Sequence, residues 1–248
     1  MTMERCIDAI LDALRIMVPT VILLVAIGLV VNVVTTTGLG NVFSMMIVDW
    51  AGGSLLFTLV LIALASLILG MGLPVIASYI VLATLAAPAL YDLISQPVML
   101  DALQAANLPA NVQTIIELFD GDPVRALAEM PAEMRQLVRG ELLDPALITG
   151  MMLSAHLIIF WLSQDSNVTP PICLAAFAAA AIAGTRPMRT GLTSWKIAKG
   201  LYLVPVLFAF TPLITGSWSE RLSVFVFACF GLYALAGILQ WHLESRLN

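Results

Sequence analysis

The chain has 248 residues, of which 60% are hydrophobic and 11% charged, with a mean hydropathy of +1.00. Soluble domains run at about 45–50% apolar and about 25% charged, so this sequence cannot supply a soluble charged shell and reads as an integral membrane protein. The net charge of −5 and pI of 4.9 exclude a nucleic-acid-binding protein, which needs a basic face.

The N-terminal stretch MTMERCIDAILDALR has three acids before Arg15 and no small-residue cleavage site, so it does not read as a removable signal peptide. Charged residues and histidine are absent between Ile16 and Val48, and again between Ala51 and Tyr91. Such runs are membrane-helix candidates. The first predicted unit covers residues 15–37 and ends at Gly38 and Gly40. Residues 41–50 follow as a short amphipathic arm along the membrane. The second unit, 55–91, would be about 55 Å long as one straight helix, against a hydrocarbon core of roughly 30 Å. It must break, and Gly70-Met71-Gly72-Leu73-Pro74 is the place. Either two complete spans meet there or two half-depth helices form a re-entrant hairpin.

Residues 94–144 hold Pro97, Pro109, Pro123, Pro131 and half of the acids, and read as an extramembrane, partly helical insertion. Its best helix starts at Pro131, with Met134, Leu137 and Val138 on its apolar face. The third membrane unit, 145–184, is broken at Gln164-Asp165-Ser166-Asn167-Val168-Thr169-Pro170-Pro171. The fourth covers 196–215 and the fifth 221–241. The predicted organisation is therefore 1–93 (first helix, arm and hairpin), 94–144 (acidic insertion) and 145–248 (broken helix and two further spans). Arg186, Arg189, Lys196 and Lys199, with no acid among them, put residues 185–199 in a cytoplasmic loop. The insertion is then outside, and Arg5, Arg15 and Arg246 are inside.

Chemistry belongs at the two breaks. Open backbone within a bilayer costs several kcal/mol per unpaired group unless it lines a cavity or binds something. Carbonyls around Gly70 and Gly72, and around Ser166 and Val168, join the side-chain oxygens of Ser163, Asn167 and Thr169 in an oxygen-only set. That set suits a hard cation and not zinc or copper. The alternative is a pair of packing kinks, against which the polar clustering at the second break argues. Asp165 is the one acid at depth in a predicted span. It either carries a coupling proton or cation or caps a half-helix. His156 has Phe160 and Ser163 on its face and reads as a neutral histidine bonded to a neighbouring helix. Trp195, Tyr202, Trp218, Trp241 and His242 read as interfacial anchors. Cys6, Cys173 and Cys229 read as small apolar residues, with no zinc spacing and no implied disulfide.

GMGLPVIASYIVLATLAAPAL (residues 70–90) resembles the hairpin motif of the large permease subunit of TRAP (tripartite ATP-independent periplasmic) transporters. The resemblance is strongest to fused permeases that work with TAXI-type binding proteins. SAHLIIFWLSQDSNVTPPICLAAFAAAAIAGTRPMRTGL (154–192) agrees, with its TPP break, alanine-rich half-helix and AG turn; TTTGLG (35–40) is a weaker match. The resemblance spans roughly residues 15–212 apart from the insertion. It implies an all-α polytopic membrane protein, one repeat of an inverted-repeat elevator-type transporter with a re-entrant hairpin and a broken helix.

It further implies sodium at Gly70, Gly72, Asn167 and Thr169 and substrate at Gly72, Pro74, Thr169 and Pro170, with Asp165 left as the candidate coupling group. No other cofactor is expected. The implied function is import of organic acids, often carboxylates, by symport with sodium or protons across a bacterial inner membrane. The implied partners are a periplasmic TAXI-type binding protein, a small membrane subunit, the remaining permease half and the lipid bilayer. Only one hairpin and one TPP break occur, so the expectation is the C-terminal half of a permease. The insertion is longer than the usual family loop, and contact with the binding protein is one reading of it.

Two other classes fit parts of the pattern. One is a non-transporting assembly partner. The other is an intramembrane hydrolase using His156 with Ser154 or Ser163, which lacks a serine elbow.

Overall fold

A computed structural model describes residues 3–240 apart from Gly72, Ala106 and Ile172; the side chains of Ile16, Pro19, Thr20, Asn41, Leu239 and Gln240 are likewise outside it. Trp241, His242 and Arg246, read above as anchors and an inner charge, lie outside the described residues.

The described residues are helical almost throughout and hold no strand. Helix α1 runs Met3–Thr37 and α2 runs Leu39–Trp50. The apolar part of α1 and the body of α2 are bent by 79°, at Gly38, whose φ of 70° is a conformation glycine adopts without steric cost. Helix α2 is not a free arm. A β-carbon on Gly40 would fall 2.8 Å from the Thr84 carbonyl oxygen, and Ser44 Oγ donates to the Leu85 carbonyl at 2.6 Å.

Helices α3 (Leu55–Gly70) and α4 (Val75–Leu103) flank the first break. Sixteen residues make α3 about 24 Å long, short of a full span, whereas α4 is long and apolar enough to cross a membrane. The helix therefore does not end near Tyr91, as the charge pattern predicts. It runs on through Asp92 and carries Pro88 and Pro97 inside it. The physical reason is tertiary: the Asp92 carboxylate meets Arg139 at 2.8 Å and Arg135 at 3.9 Å, so its charge does not force the chain out of the helix.

Residues beyond α4 form three small helices, α5 (Ala110–Glu117), α6 (Pro123–Glu129) and α7 (Ala132–Leu142). The starts of α6 and of α8 (Pro145–Ser163) share one device. Asp122 Oδ1 accepts from Val124 N at 2.9 Å and Asp144 Oδ1 from Ala146 N at 2.6 Å, each with proline opening the first turn. Aspartate satisfies an orphan N–H, and proline has none to satisfy.

After the second break come α9 (Leu174–Ala183), α10 (Pro187–Ile197), α11 (Leu203–Phe210) and α12 (Trp218–Gln240). The segment predicted as a basic loop is thus largely helix α10, opened by Pro187 at its N-terminus. The predicted fourth span is divided: a 3-10 turn, Ala198–Tyr202, leads into the short α11.

Two cores share α4. In the first, Leu82, Ala83, Ala86 and Leu90 of α4 pack on Leu59 and Ile62 of α3 and on Ala155, Ile158 and Ile159 of α8. Alanines on α4 let the helices approach closely, which is how helix association is driven where lipid is as apolar as the protein. In the second, Met99 and Leu103 of α4 pack on Val112, Ile116, Leu127 and Val138 of the three small helices and on Met130 between α6 and α7. Helices α1 and α12 instead turn large apolar side chains outward: Ile22 is 64% exposed and Phe227 73%. Contiguous apolar exposure on this scale marks a surface that meets lipid or protein rather than water. Among the described residues three helices are long and apolar enough to cross a membrane, or four if the bent α1–α2 pair counts as one. The chain is an all-α, multi-pass membrane protein.

Candidate functional site at the two helix breaks

Proline dictates both breaks. A helical carbonyl is satisfied by the N–H four residues on, and proline has none. Four residues after Gly70 stands Pro74; four after Ser166 and Asn167 stand Pro170 and Pro171. The intervening donors are already committed, Leu73 N to the Leu69 carbonyl at 3.0 Å and Thr169 N to the Asp165 carbonyl at 2.9 Å. The carbonyls of Gly70, Ser166 and Asn167 are therefore freed from helical pairing.

Packing brings these segments together. A β-carbon placed on Gly70 would lie 2.4 Å from Ser166 Cβ, closer than real side chains come. The last residue of α3 thus rests directly on the 3-10 turn Gln164–Asn167 that ends α8. Only glycine allows this approach.

Around that contact the polar groups are buried and mostly paired. Ser163 Oγ donates to the Ile159 carbonyl at 2.8 Å, and Ser166 Oγ to the Ser163 carbonyl at 3.2 Å. Asp165 is 5% exposed. Its Oδ1 accepts from Thr169 Oγ1 at 2.7 Å and its Oδ2 from the Tyr202 hydroxyl at 2.5 Å. The carboxylate is thus held by two hydroxyls from different elements, and α9 begins at Cys173 without any side-chain cap. Of the two readings of Asp165, capping of the half-helix is not what the geometry provides. Thr169, having donated its hydrogen, keeps oxygen lone pairs for another partner.

The residues singled out by sequence fall as follows. Gly70 meets Ser166, and Asp165 meets Thr169. Asn167 Nδ2 reaches Gln164 Oε1 at 3.4 Å. Pro170 lies against α10, where a β-carbon on Gly191 would come 3.5 Å from its Cγ and 2.6 Å from Cys173 Sγ. Pro74 is exposed at the start of α4. Gly72 lies outside the described residues. His156 Nδ1 hydrogen-bonds the Tyr79 hydroxyl of α4 at 3.2 Å, and the Tyr79 ring packs edge-on against Phe160. Ser154 and Ser163 donate to backbone carbonyls of their own helix, so neither forms a nucleophile pair with His156.

Tyr202 is the residue that sequence reasoning misplaces. It reads as an interfacial anchor, yet it reaches the buried Asp165 from the turn before α11. Nothing in its local sequence signals a partner 37 residues away.

Paired helix breaks in a multi-pass helical chain, with freed carbonyls and one buried acid, define a membrane transport protein. The family model for the tripartite ATP-independent periplasmic transporter, DctM component, matches residues 1–214, and the chain belongs to that family. It is a permease component of a transporter and not an enzyme. No curated protein and no solved structure matches the chain.

Proposed function

We propose that this permease component carries organic acids, chiefly carboxylates, into the cell by symport across a bacterial inner membrane, with sodium the favoured coupling ion over protons. The observation that carries the reading is the Gly70–Ser166 contact, which joins two proline-made breaks whose freed carbonyls are hard-cation donors. Sodium would be held by the carbonyls of Gly70 and Gly72 with oxygens of Asn167 and Thr169. Asp165, fixed by Thr169 and Tyr202, stands behind that set as the coupling group. The substrate would lie against Gly72, Pro74, Thr169 and Pro170, near the start of α9, whose N-terminal end favours an anion.

In this reading the chain contributes one hairpin and broken-helix repeat of an elevator-type permease, the C-terminal one. A second repeat, a small membrane subunit and a periplasmic TAXI-type binding protein complete it. The basic segment around α10 faces the cytoplasm and the 94–144 helices face the binding protein, in keeping with the charge asymmetry.

The test is uptake of a radiolabelled organic acid into proteoliposomes under an inward sodium gradient, with the other components added in turn. Sodium-driven uptake only when all are present is the expected result. Uptake by this chain alone would refute the half-site reading. No uptake in any combination would make the chain an assembly partner instead.

A further inference from the structure

Away from the breaks, a cavity of about 360 Å³ opens between α4, α7 and α8. Arg139 lines it, 5% exposed, with its guanidinium 4.3 Å above the Tyr91 ring. Asp92 lines it too, accepting from Arg139 Nη2 at 2.8 Å, while Arg135 Nη2 stands 3.9 Å from its other oxygen. Among the described residues no other acid reaches either guanidinium. The cluster thus holds two positive charges against one negative, and Nε of both Arg135 and Arg139 is buried without a partner.

An arginine carries five donors in a planar fork, and a buried cation with unused donors is costly. A carboxylate answers both deficits, since it brings the missing charge and fits the fork. Below the charged end, the cavity wall is small and apolar: Ala83, Ala87 and Pro88 from α4, Met152 and Ala155 from α8. His156 sits at this wall, two turns before the second break along α8. A volume near 360 Å³ is at the small end of ligand sites, which run from about 300 Å³.

We infer that this cavity is a second anion site, binding a small organic monocarboxylate with its carboxylate on Arg139 and its apolar body against the α4–α8 wall. Asp92 competes with the ligand for the same guanidinium and sets its affinity. The site lies where the insertion docks on the membrane core, and its ligand bridges Arg139 of α7 to the α4–α8 wall.

The full chain in detergent is titrated calorimetrically with benzoate and with 4-methylpentanoate, and with benzamide as the uncharged isostere. Saturable binding of a carboxylate and none of benzamide is the expected result. Arg139→Lys keeps the charge but loses the fork, and weakens binding by about tenfold or more. Asp92→Asn keeps an acceptor for Nη2 but removes the competing charge, and tightens binding severalfold, a change that general loss of structure cannot produce. Equal binding of benzamide would make the cavity merely apolar. No saturable binding of either carboxylate up to about 10 mM would overturn the site. Unchanged affinity in Asp92→Asn would do so as well. Should Arg139→Lys fail to fold, the acid–amide comparison and Asp92→Asn decide.

Discussion

Gly70 rests on Ser166 so closely that a β-carbon at position 70 would sit 2.4 Å from Ser166 Cβ and 3.0 Å from its Oγ. The contact joins the end of α3 to the end of α8 at the point where both lose their helical pairing. It is a steric fact with a measurable consequence. Gly70→Ala must push the two breaks apart, at a cost of about 1–3 kcal/mol for overpacking. Thermal unfolding in detergent reads the loss. Ser166→Gly in the same chain removes the clashing atoms and restores most of the stability, because the next atom, Ser166 Cα, is 3.6 Å away, an ordinary contact.

Tyr202 and Thr169 act on one carboxylate from opposite sides of the site, so their effects depend on it. Tyr202→Phe removes a hydrogen bond to a buried acid and lowers stability by about 1–3 kcal/mol. Once Asp165→Asn has changed the acceptor, the same substitution costs less. A double-mutant cycle by thermal unfolding measures the coupling. Strict additivity would mean that the 2.5 Å hydrogen bond is no stronger to the carboxylate than to an amide.

Gly191 offers a second close approach. Alanine there would bring a β-carbon within 2.6 Å of Cys173 Sγ. Gly191→Ala therefore loosens α10 from the start of α9 and lowers the unfolding temperature. Cys173→Ala, which deletes the sulfur, suppresses the defect. If the double variant is no more stable than Gly191→Ala alone, the two helices are not packed in this way.

The Arg139–Asp92 pair ties α7 to α4. Arg139→Met leaves Asp92 with Arg135 at 3.9 Å and removes the stacking on Tyr91. Because Asp92 is about one-third exposed and keeps one partner, the loss is nearer 1–2 kcal/mol than the 3–5 kcal/mol typical of a fully buried pair. Amide hydrogen exchange in residues 131–144 speeds up, while exchange in α8 changes little.

The sodium site proposed at the breaks carries a thermodynamic signature independent of transport. A ligand that binds only the folded state at about a hundred times its Kd adds about 2.7 kcal/mol of stability. Replacing potassium by sodium at constant ionic strength raises the unfolding temperature of the wild-type chain, and Asn167→Ala abolishes the difference. An equal response of the two would remove Asn167 from the ion site.

The breaks were legible in sequence because Gly70, Pro74, Pro170 and Pro171 act through local chemistry: a proline forfeits its N–H whatever surrounds it. Membrane character was legible from the charge deficit alone. What escaped sequence reasoning depends on distant partners. Asp92 signals a helix end until Arg139, 47 residues later, is seen to pair with it. Tyr202 looks like an anchor until it meets Asp165. Residues 187–197 read as loop because their basic charge spoke to orientation, although Pro187 is a fair helix-start signal.

Helix α4 belongs to both cores, with Ala77 and Leu82 buried near its start and Met99 and Leu103 buried at its end. At about 1.5 Å per residue it is a rod of roughly 43 Å, with Pro74 at one tip and the small helices clamped to the other. Whatever presses on that clamp turns a lever whose far end is the first helix break. Docking of the small helices and geometry at the break are thereby joined through a single covalent segment.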